Sequence, residues 1–354
     1  MHALSRKVTF ALLAFLALPL AAGAWERGRV RTFAVLPAGS SGPEGMEVGA
    51  DGRVYVTTFG FTSTGAEAGP GKLFVFQPDG RLERKVSIAG SSAHLLGLRF
   101  QPVTGALLVI DFGNARVLRV DPRTGASTVF MTLPALPHTG LGAGLNDITF
   151  DKKGFVYVSD SFQGIVWKTG AAGGVATPWV DSPLLLPNGV PPFGANGLRF
   201  NKHETDLFVA NTANDTIVRV PVESGGVAGA PVVFTNSING ADGLLIDDDD
   251  NLWVAANQAD EIVVVDPQGR AIAKLGDFDG VTGGGQPVHL LFPASIRFSG
   301  DDLLVTNLAL NTNLFGFLTA DTAWSAQVSR YTVAKIRVRI PSTGGADGDG
   351  RDGD

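Results

Sequence analysis

Pro43-Glu44-Gly45-Met46-Glu47-Val48 and Leu145-Asn146-Asp147-Ile148-Thr149-Phe150 are two copies of a pattern that recurs through the chain. The other copies are Leu95-Leu96-Gly97-Leu98-Arg99-Phe100, Ala195-Asn196-Gly197-Leu198-Arg199-Phe200, Ala241-Asp242-Gly243-Leu244-Leu245-Ile246 and Pro293-Ala294-Ser295-Ile296-Arg297-Phe298. Their aligned apolar residues stand at 46, 98, 148, 198, 244 and 296, separated by 52, 50, 50, 46 and 52 residues. A repeat near this length, built of short apolar runs and tight turns, predicts propeller blades that bury their faces against one another.

Each copy continues alike. A turn such as Asp51-Gly52, Lys153-Gly154 or Asp250-Asn251 leads into Val54-Tyr55-Val56, Val156-Tyr157-Val158 or Leu252-Trp253-Val254. A third strand follows, as at Val117-Leu118-Arg119-Val120, then a turn such as Asp121-Pro122-Arg123-Thr124-Gly125. A weaker fourth strand is expected at Ser127 to Thr132 or Pro231 to Thr235. After the last copy a third strand is expected over Val328 to Ile340, with no fourth behind it. The strand-like run Val30 to Leu36 can supply the missing outer strand, and such closure removes the exposed edges of an open stack. The expected fold is all-β: a six-bladed β-propeller over residues 25–341, its ring closed by the N-terminal strand.

Arg6 and Lys7, the apolar run Val8 to Leu20 and the small residues Ala22-Gly23-Ala24 form the pattern of a secretory signal peptide over residues 1–24. The run is shorter than the ~20 residues that span a bilayer. The mature chain is therefore expected to be secreted or periplasmic, with no membrane association after signal cleavage. The 354 residues include no cysteine, so an exported chain would be stable through its core alone. A net charge of −6 argues against nucleic acid as a partner. Ser342 to Asp354, rich in Gly and Asp, is expected to be disordered. The chain is expected to act as a monomer.

The residue at the second place of each motif is, in order, Glu44, Leu96, Asn146, Asn196, Asp242 and Ala294. Equivalent positions of a propeller lie at equivalent radius and height, so these six face one another around the axis. Asn-Gly and Asp-Gly alone are ordinary turn dipeptides. That reading leaves Glu44, the least turn-like of them, falling in the same register without a reason. Two carboxylates in one pocket repel unless a cation lies between them. Two carboxylates and two amide carbonyls are hard oxygen donors that suit Ca²⁺. Mg²⁺ and Mn²⁺ are the alternatives, and Zn²⁺ is less natural without His or Cys.

Pro43-Glu44-Gly45, Asn146-Asp147, Asn196-Gly197 and Asp242-Gly243, each opening an apolar strand, resemble the SMP-30/gluconolactonase/LRE-like family from about Val30 to Ile340. The likeness extends to the paraoxonase and diisopropyl-fluorophosphatase groups. It implies a six-bladed propeller that hydrolyses a small-molecule lactone or ester at an axial metal. By position, Glu44, Asn196 and Asp242 would be metal ligands. Asn146 would be a fourth ligand, or a group touching both metal and substrate. Asp242 would act as general base on a water or as direct nucleophile. Sugar-lactonase relatives tend to carry arginine two residues before the third-blade asparagine, where this chain has Gly144. With Leu96, Phe193 and Phe292 nearby, the resemblance points to a more hydrophobic lactone or ester than a sugar lactone.

His94 and His138 lie before the second and third motifs, and either could serve as acid or base near the metal, as histidines do in the paraoxonase-like relatives. Asp247-Asp248-Asp249-Asp250 falls at a turn between strands and is expected to be solvated. Leu308 to Ala326, which holds Phe315, Phe317 and Trp324, is a long insertion in blade six that can fold over the opening or pack on the rim. The competing function is a non-catalytic propeller in which the metal only rigidifies the ring and a face binds a partner. Strictosidine-synthase-like chemistry is a third reading, which the pairing of Glu44 with Asp242 disfavours.

Overall fold

The structure, a computed structural model, describes residues 27–138 and 140–338. The expected signal peptide and C-terminal tail lie outside them. The ring has six sheets, and the inner strands are Pro43–Val48, Leu95–Phe100, Leu145–Phe150, Ala195–Phe200, Ala241–Ile246 and Pro293–Ser299. Each inner strand therefore begins at the first residue of its motif. Five blades are built in chain order from inner to outer strand. The sixth is closed by Val30–Val35 on the outside of Thr332–Arg337, as the unpaired N-terminal run predicted. Among the described residues no helix is long and apolar enough to cross a membrane.

The six aligned apolar residues (Met46, Leu98, Ile148, Leu198, Leu244 and Ile296) are all fully buried. They belong to apolar layers between neighbouring blades. One layer joins Met46, Val54 and Phe74 of blade one to Leu304 and Val333 of blade six. The next joins Tyr55 and Leu73 to Leu98 and Val109 of blade two. Turn residues end the strands for local reasons. Trp253 donates its indole N–H to Asp247 at 2.9 Å, so the first aspartate of the acidic run is a hydrogen-bonded turn anchor beside two exposed neighbours.

Every inner strand carries the same irregularity. Its pairing register with the second strand shifts between the first and fourth motif places, as from Pro43 to Met46 and from Ala241 to Leu244. The shift recurs in all six blades. A bulge of this kind bends the strand and re-aims a side chain. Here it falls on the second and third places, beside the axis. The third place must be small where the next blade comes close: a Cβ on Gly45 would stand 2.2 Å from the Leu96 carbonyl oxygen.

Two boundaries differ from expectation, and one hairpin was not anticipated. The outer strand of blade four is Val232–Asn236, not Pro231 to Thr235, because Pro231 has no N–H for the ladder. The last strand is Thr332–Arg337; Val328 is buried ahead of it, where the chain leaves the blade-six insertion. Residues 278–289 form a two-stranded hairpin, Phe278–Val281 with Pro287–His289, around the Gly283-Gly284-Gly285 turn.

Candidate functional site

The bulges bring Glu44, Asn146, Asn196 and Asp242 to one axial cavity, each 4–5% exposed. The cavity has about 30 Å³ of room for water-sized spheres, enough for an ion with one or two waters. The two amides are oriented by the groups behind them. Ser161 donates its hydroxyl to the Ala195 carbonyl at 2.7 Å, so its oxygen must accept from the Asn146 side-chain NH₂, 3.3 Å away. Thr212 likewise donates to the Ala241 carbonyl at 2.7 Å and accepts from the Asn196 NH₂ at 2.9 Å. With both NH₂ groups engaged, the carbonyl oxygen of each amide is left with its lone pairs free to accept or to ligate. Asn257 donates to Asp242 Oδ2 at 2.9 Å.

Ser161, Thr212 and Asn257 share one register position, the residue following the second strand of blades three, four and five. At the same position blades one, two and six carry Phe59, Phe112 and Leu308. The axial surroundings are therefore polar on one half and apolar on the other. Sequence reasoning did not find the three polar residues, although their common offset from the ring positions was a readable signal.

Electrostatics set this pocket apart from an ordinary turn cluster. Burial, then the neighbouring Asp242, holds the Glu44 carboxyl well above its usual range. Burial pushes Asp242 up to about 7 against the lowering effect of the Asn257 hydrogen bond. Glu44 Oε2 is buried without a hydrogen-bond partner. An orphaned carboxylate oxygen, a second carboxylate and two fixed amide oxygens fit a hard divalent cation. Among the described residues no group of three or more His, Asp or Glu could hold a metal, so a cation on this axis needs the amides as well.

The cavity does not include either candidate histidine. His94 Nδ1 stands 2.7 Å from the Phe59 carbonyl oxygen, and its ring stacks on Phe61 at 4.5 Å. His138, at the surface, has Nε2 3.0 Å from Asp181 Oδ1. Leu96, Phe193 and Phe292 do line the cavity, with Leu308 and Leu310 from the insertion. Aromatic contacts link Phe315, Phe61, Phe59, Phe112, Phe162 and Phe193 into an arc, with successive centroids 4.8 to 5.9 Å apart. Gly144 lies against this arc: a Cβ there would stand 2.8 Å from the Phe162 ring, so no arginine fits without displacing it.

The insertion is tied down at two points. Asn311 donates to the Ser63 carbonyl at 2.7 Å. Asp321 lies beside Asp260, whose Oδ1 accepts the N–H of the wall residue Phe292 at 2.7 Å. Burial, then Asp321, pushes Asp260 up to about 8, and burial pushes Asp321 up to about 6. The folded state therefore holds protons that the unfolded chain releases near pH 4, and this pair costs stability as pH rises from about 4 through 8. With calcium saturating, Asp321→Asn is expected to flatten the fall of Tm between pH 5 and 8. An unchanged slope would remove the pair from that role.

The SMP-30/Gluconolactonase/LRE-like region model matches residues 96–276, half of the chain. The chain belongs to this family. A strictosidine synthase-like N-terminal model matches residues 32–59. A lactonase, drp35, of Staphylococcus aureus is 32% identical over 137 residues, 37% of this chain and 41% of the relative. The match thus spans well under half the length of that curated relative. Among solved structures, a luciferin-regenerating enzyme aligns with a TM-score of 0.63 at 15% identity, over 88% of this chain and 95% of that one. A calcium-binding regucalcin of Agrobacterium tumefaciens aligns at 0.62 and 18%, over 88% and 96%. These two likenesses carry the propeller fold.

Proposed function

We propose that this member of the SMP-30/gluconolactonase family is a hydrolase of lactones or esters that works at a divalent cation, Ca²⁺ by preference, held by Glu44, Asn146, Asn196 and Asp242. The observation that carries the reading is the buried Glu44 oxygen without a partner, facing a second carboxylate and two amides whose NH₂ groups are tied back. A lactonase among its relatives and a calcium-binding protein among its structural neighbours support the chemistry.

When bound, the cation would polarise the scissile carbonyl and favour negative charge on its oxygen. The chain's own residues do the rest. Ser161 and Thr212 fix the amide oxygens, and Asn257 fixes one edge of Asp242. Asp242 either takes the proton of an attacking water or attacks the carbonyl itself. Leu96, Phe193 and Phe292 exclude water and select an apolar substituent. The polar and apolar halves orient a substrate with its reacting group toward blades three to five. A sugar lactone would leave hydroxyls unpaired against the aromatic arc, so alkyl- or aryl-substituted lactones and aryl esters are the expected class.

Hydrolysis of a panel spanning sugar lactones, alkyl lactones and aryl esters, with calcium and after EDTA, tests the proposal. Calcium-dependent turnover favouring the apolar members is expected. No turnover on any member by protein shown to bind calcium would leave a binding propeller as the better reading. Thr212→Val removes the acceptor behind Asn196 with little change of shape. It is expected to weaken calcium about ten-fold, read by calorimetry; an unchanged affinity would deny Thr212 a positioning role.

A further inference from the structure

The third motif place governs how closely neighbouring inner strands approach, and blade three departs from the pattern of the others. Five blades carry a small residue there: Gly45, Gly97, Gly197, Gly243 and Ser295. At the four glycines a Cβ would stand 2.2 to 2.7 Å from a backbone carbonyl oxygen of the next blade, that of Leu96, Asn146, Asp242 and Ala294 in turn. Each of these strands is thus seated directly on the second place of its neighbour. Blade three has Asp147 at this place. Its Cβ excludes so close a seat, so the strand that carries Asn196 must stand off from the strand that carries Asn146. The junction that departs from the pattern is the one between the two amides of the cavity.

A buried ion pair spans this junction. Arg199, at the fifth place of blade four and 7% exposed, donates from Nη1 to Asp147 Oδ2 at 2.7 Å and to the Ile148 carbonyl at 3.3 Å. Asp147 is itself held, since its N–H donates to the Ser159 hydroxyl at 3.0 Å and its Oδ1 accepts the Ile148 N–H at 2.8 Å. The guanidiniums of Arg99 and Arg297 pair elsewhere: both stand against one oxygen of Glu47, at 3.3 and 3.4 Å, fifth place to fifth place. A buried ion pair seldom adds stability over apolar residues of similar volume, because desolvation offsets the attraction. The chain uses that apolar alternative at the next junction, where Gly197 of blade four meets blade five and the fifth place is the buried Leu245. Stability therefore does not account for the Asp147–Arg199 pair, whereas its place beside Asn146 and three residues from Asn196 does.

We propose that Asp147 and Arg199 are positioning residues that hold the inner strands of blades three and four apart, and with them Asn146 and Asn196, at a spacing that selects Ca²⁺ over Mg²⁺. Ca²⁺ takes its oxygens at about 2.3–2.6 Å and Mg²⁺ at about 2.0–2.1 Å, so a junction that cannot close favours the larger ion. The inference rests on the cation reading of the four cavity residues and adds what sets the preference of that site.

The test is the double variant Asp147→Gly/Arg199→Leu, which copies the Gly197–Leu245 junction and leaves neither charge of the pair alone. Calcium and magnesium are titrated separately into EDTA-stripped protein by calorimetry, and Tm is read in EDTA. The metal-free variant should melt no lower than the metal-free wild type. Its calcium affinity should fall about ten-fold or more while its magnesium affinity holds or rises, so the preference narrows by at least that factor. Arg199→Lys keeps the charge but loses the planar fork and should narrow the preference by less; it decides the matter if the double variant does not fold. An equal loss of both ions would overturn the spacing role. So would an unchanged ratio, and with a lowered metal-free Tm it would make the pair merely structural. A wild type that binds neither cation would defeat the cation reading itself, and this inference with it.

Discussion

Asp242→Asn is expected to abolish calcium-dependent hydrolysis while leaving the propeller folded. Asn257 can go on donating to the remaining side-chain oxygen at position 242, where its bond to Oδ2 is now 2.9 Å. The NH₂ group then takes the place of the other carboxylate oxygen and faces the cation site with the wrong polarity. The variant loses a charged ligand and the group that takes the proton or attacks, so turnover should fall by about 10³-fold or more. In EDTA the effect on stability should reverse. Burial holds the Asp242 carboxyl high and Asp242 raises Glu44 in turn, so removing one acid relieves a repulsion. The metal-free variant should melt no lower than the metal-free wild type. Retained hydrolysis would remove Asp242 from the chemistry.

Chelation is the second large effect. A ligand held only by the native state stabilises it, by about 2.7 kcal/mol when present at 100 times its Kd, which for a domain of this size is roughly 5 °C or more in Tm. EDTA should therefore lower the melting temperature of the wild type and leave Glu44→Gln nearly unmoved. The difference should depend on pH with a definite sign. In the metal-free protein Asp242 takes up its proton as pH falls through about 7, and Glu44 also binds a proton above the usual carboxylate range. The cation must displace those protons to bind. The Tm gap between calcium and EDTA should thus shrink from pH 8 to pH 6. A gap that is absent, or that widens with acid, would count against these carboxylates as ligands.

The ring was legible because a propeller repeats its geometry. Met46, Leu98, Ile148, Leu198, Leu244 and Ile296 mark one buried register, and the residue two places before each must then reach the same axial position. Comparison across blades therefore picked out Glu44 and Asp242, which lie nearly two hundred residues apart. What supports the ring was less visible. Ser161 and Thr212 are unremarkable in sequence, since a hydroxyl's role depends on the carbonyl of the next blade that it donates to. Arg99, Arg199 and Arg297 stand inside the motifs themselves. A charged residue in a strand ordinarily faces solvent, so composition gave no warning that these guanidiniums are buried around the axis. Their burial follows from blade-to-blade pairing with Glu47 and Asp147. The helical turn Thr322–Ser325 in the insertion is too short for any period to announce it. His94 and His138 precede the second and third motifs, yet neither lines the cavity: the His94 ring is hydrogen-bonded to the Phe59 carbonyl, and the His138 ring sits beside Asp181.

Calorimetric titration of calcium into EDTA-stripped protein at pH 8 tests the central claim most directly. One saturable site per chain, lost in Glu44→Gln, is the predicted result. Heats that show no binding to the wild type, or binding that Glu44→Gln leaves unaltered, would contradict it.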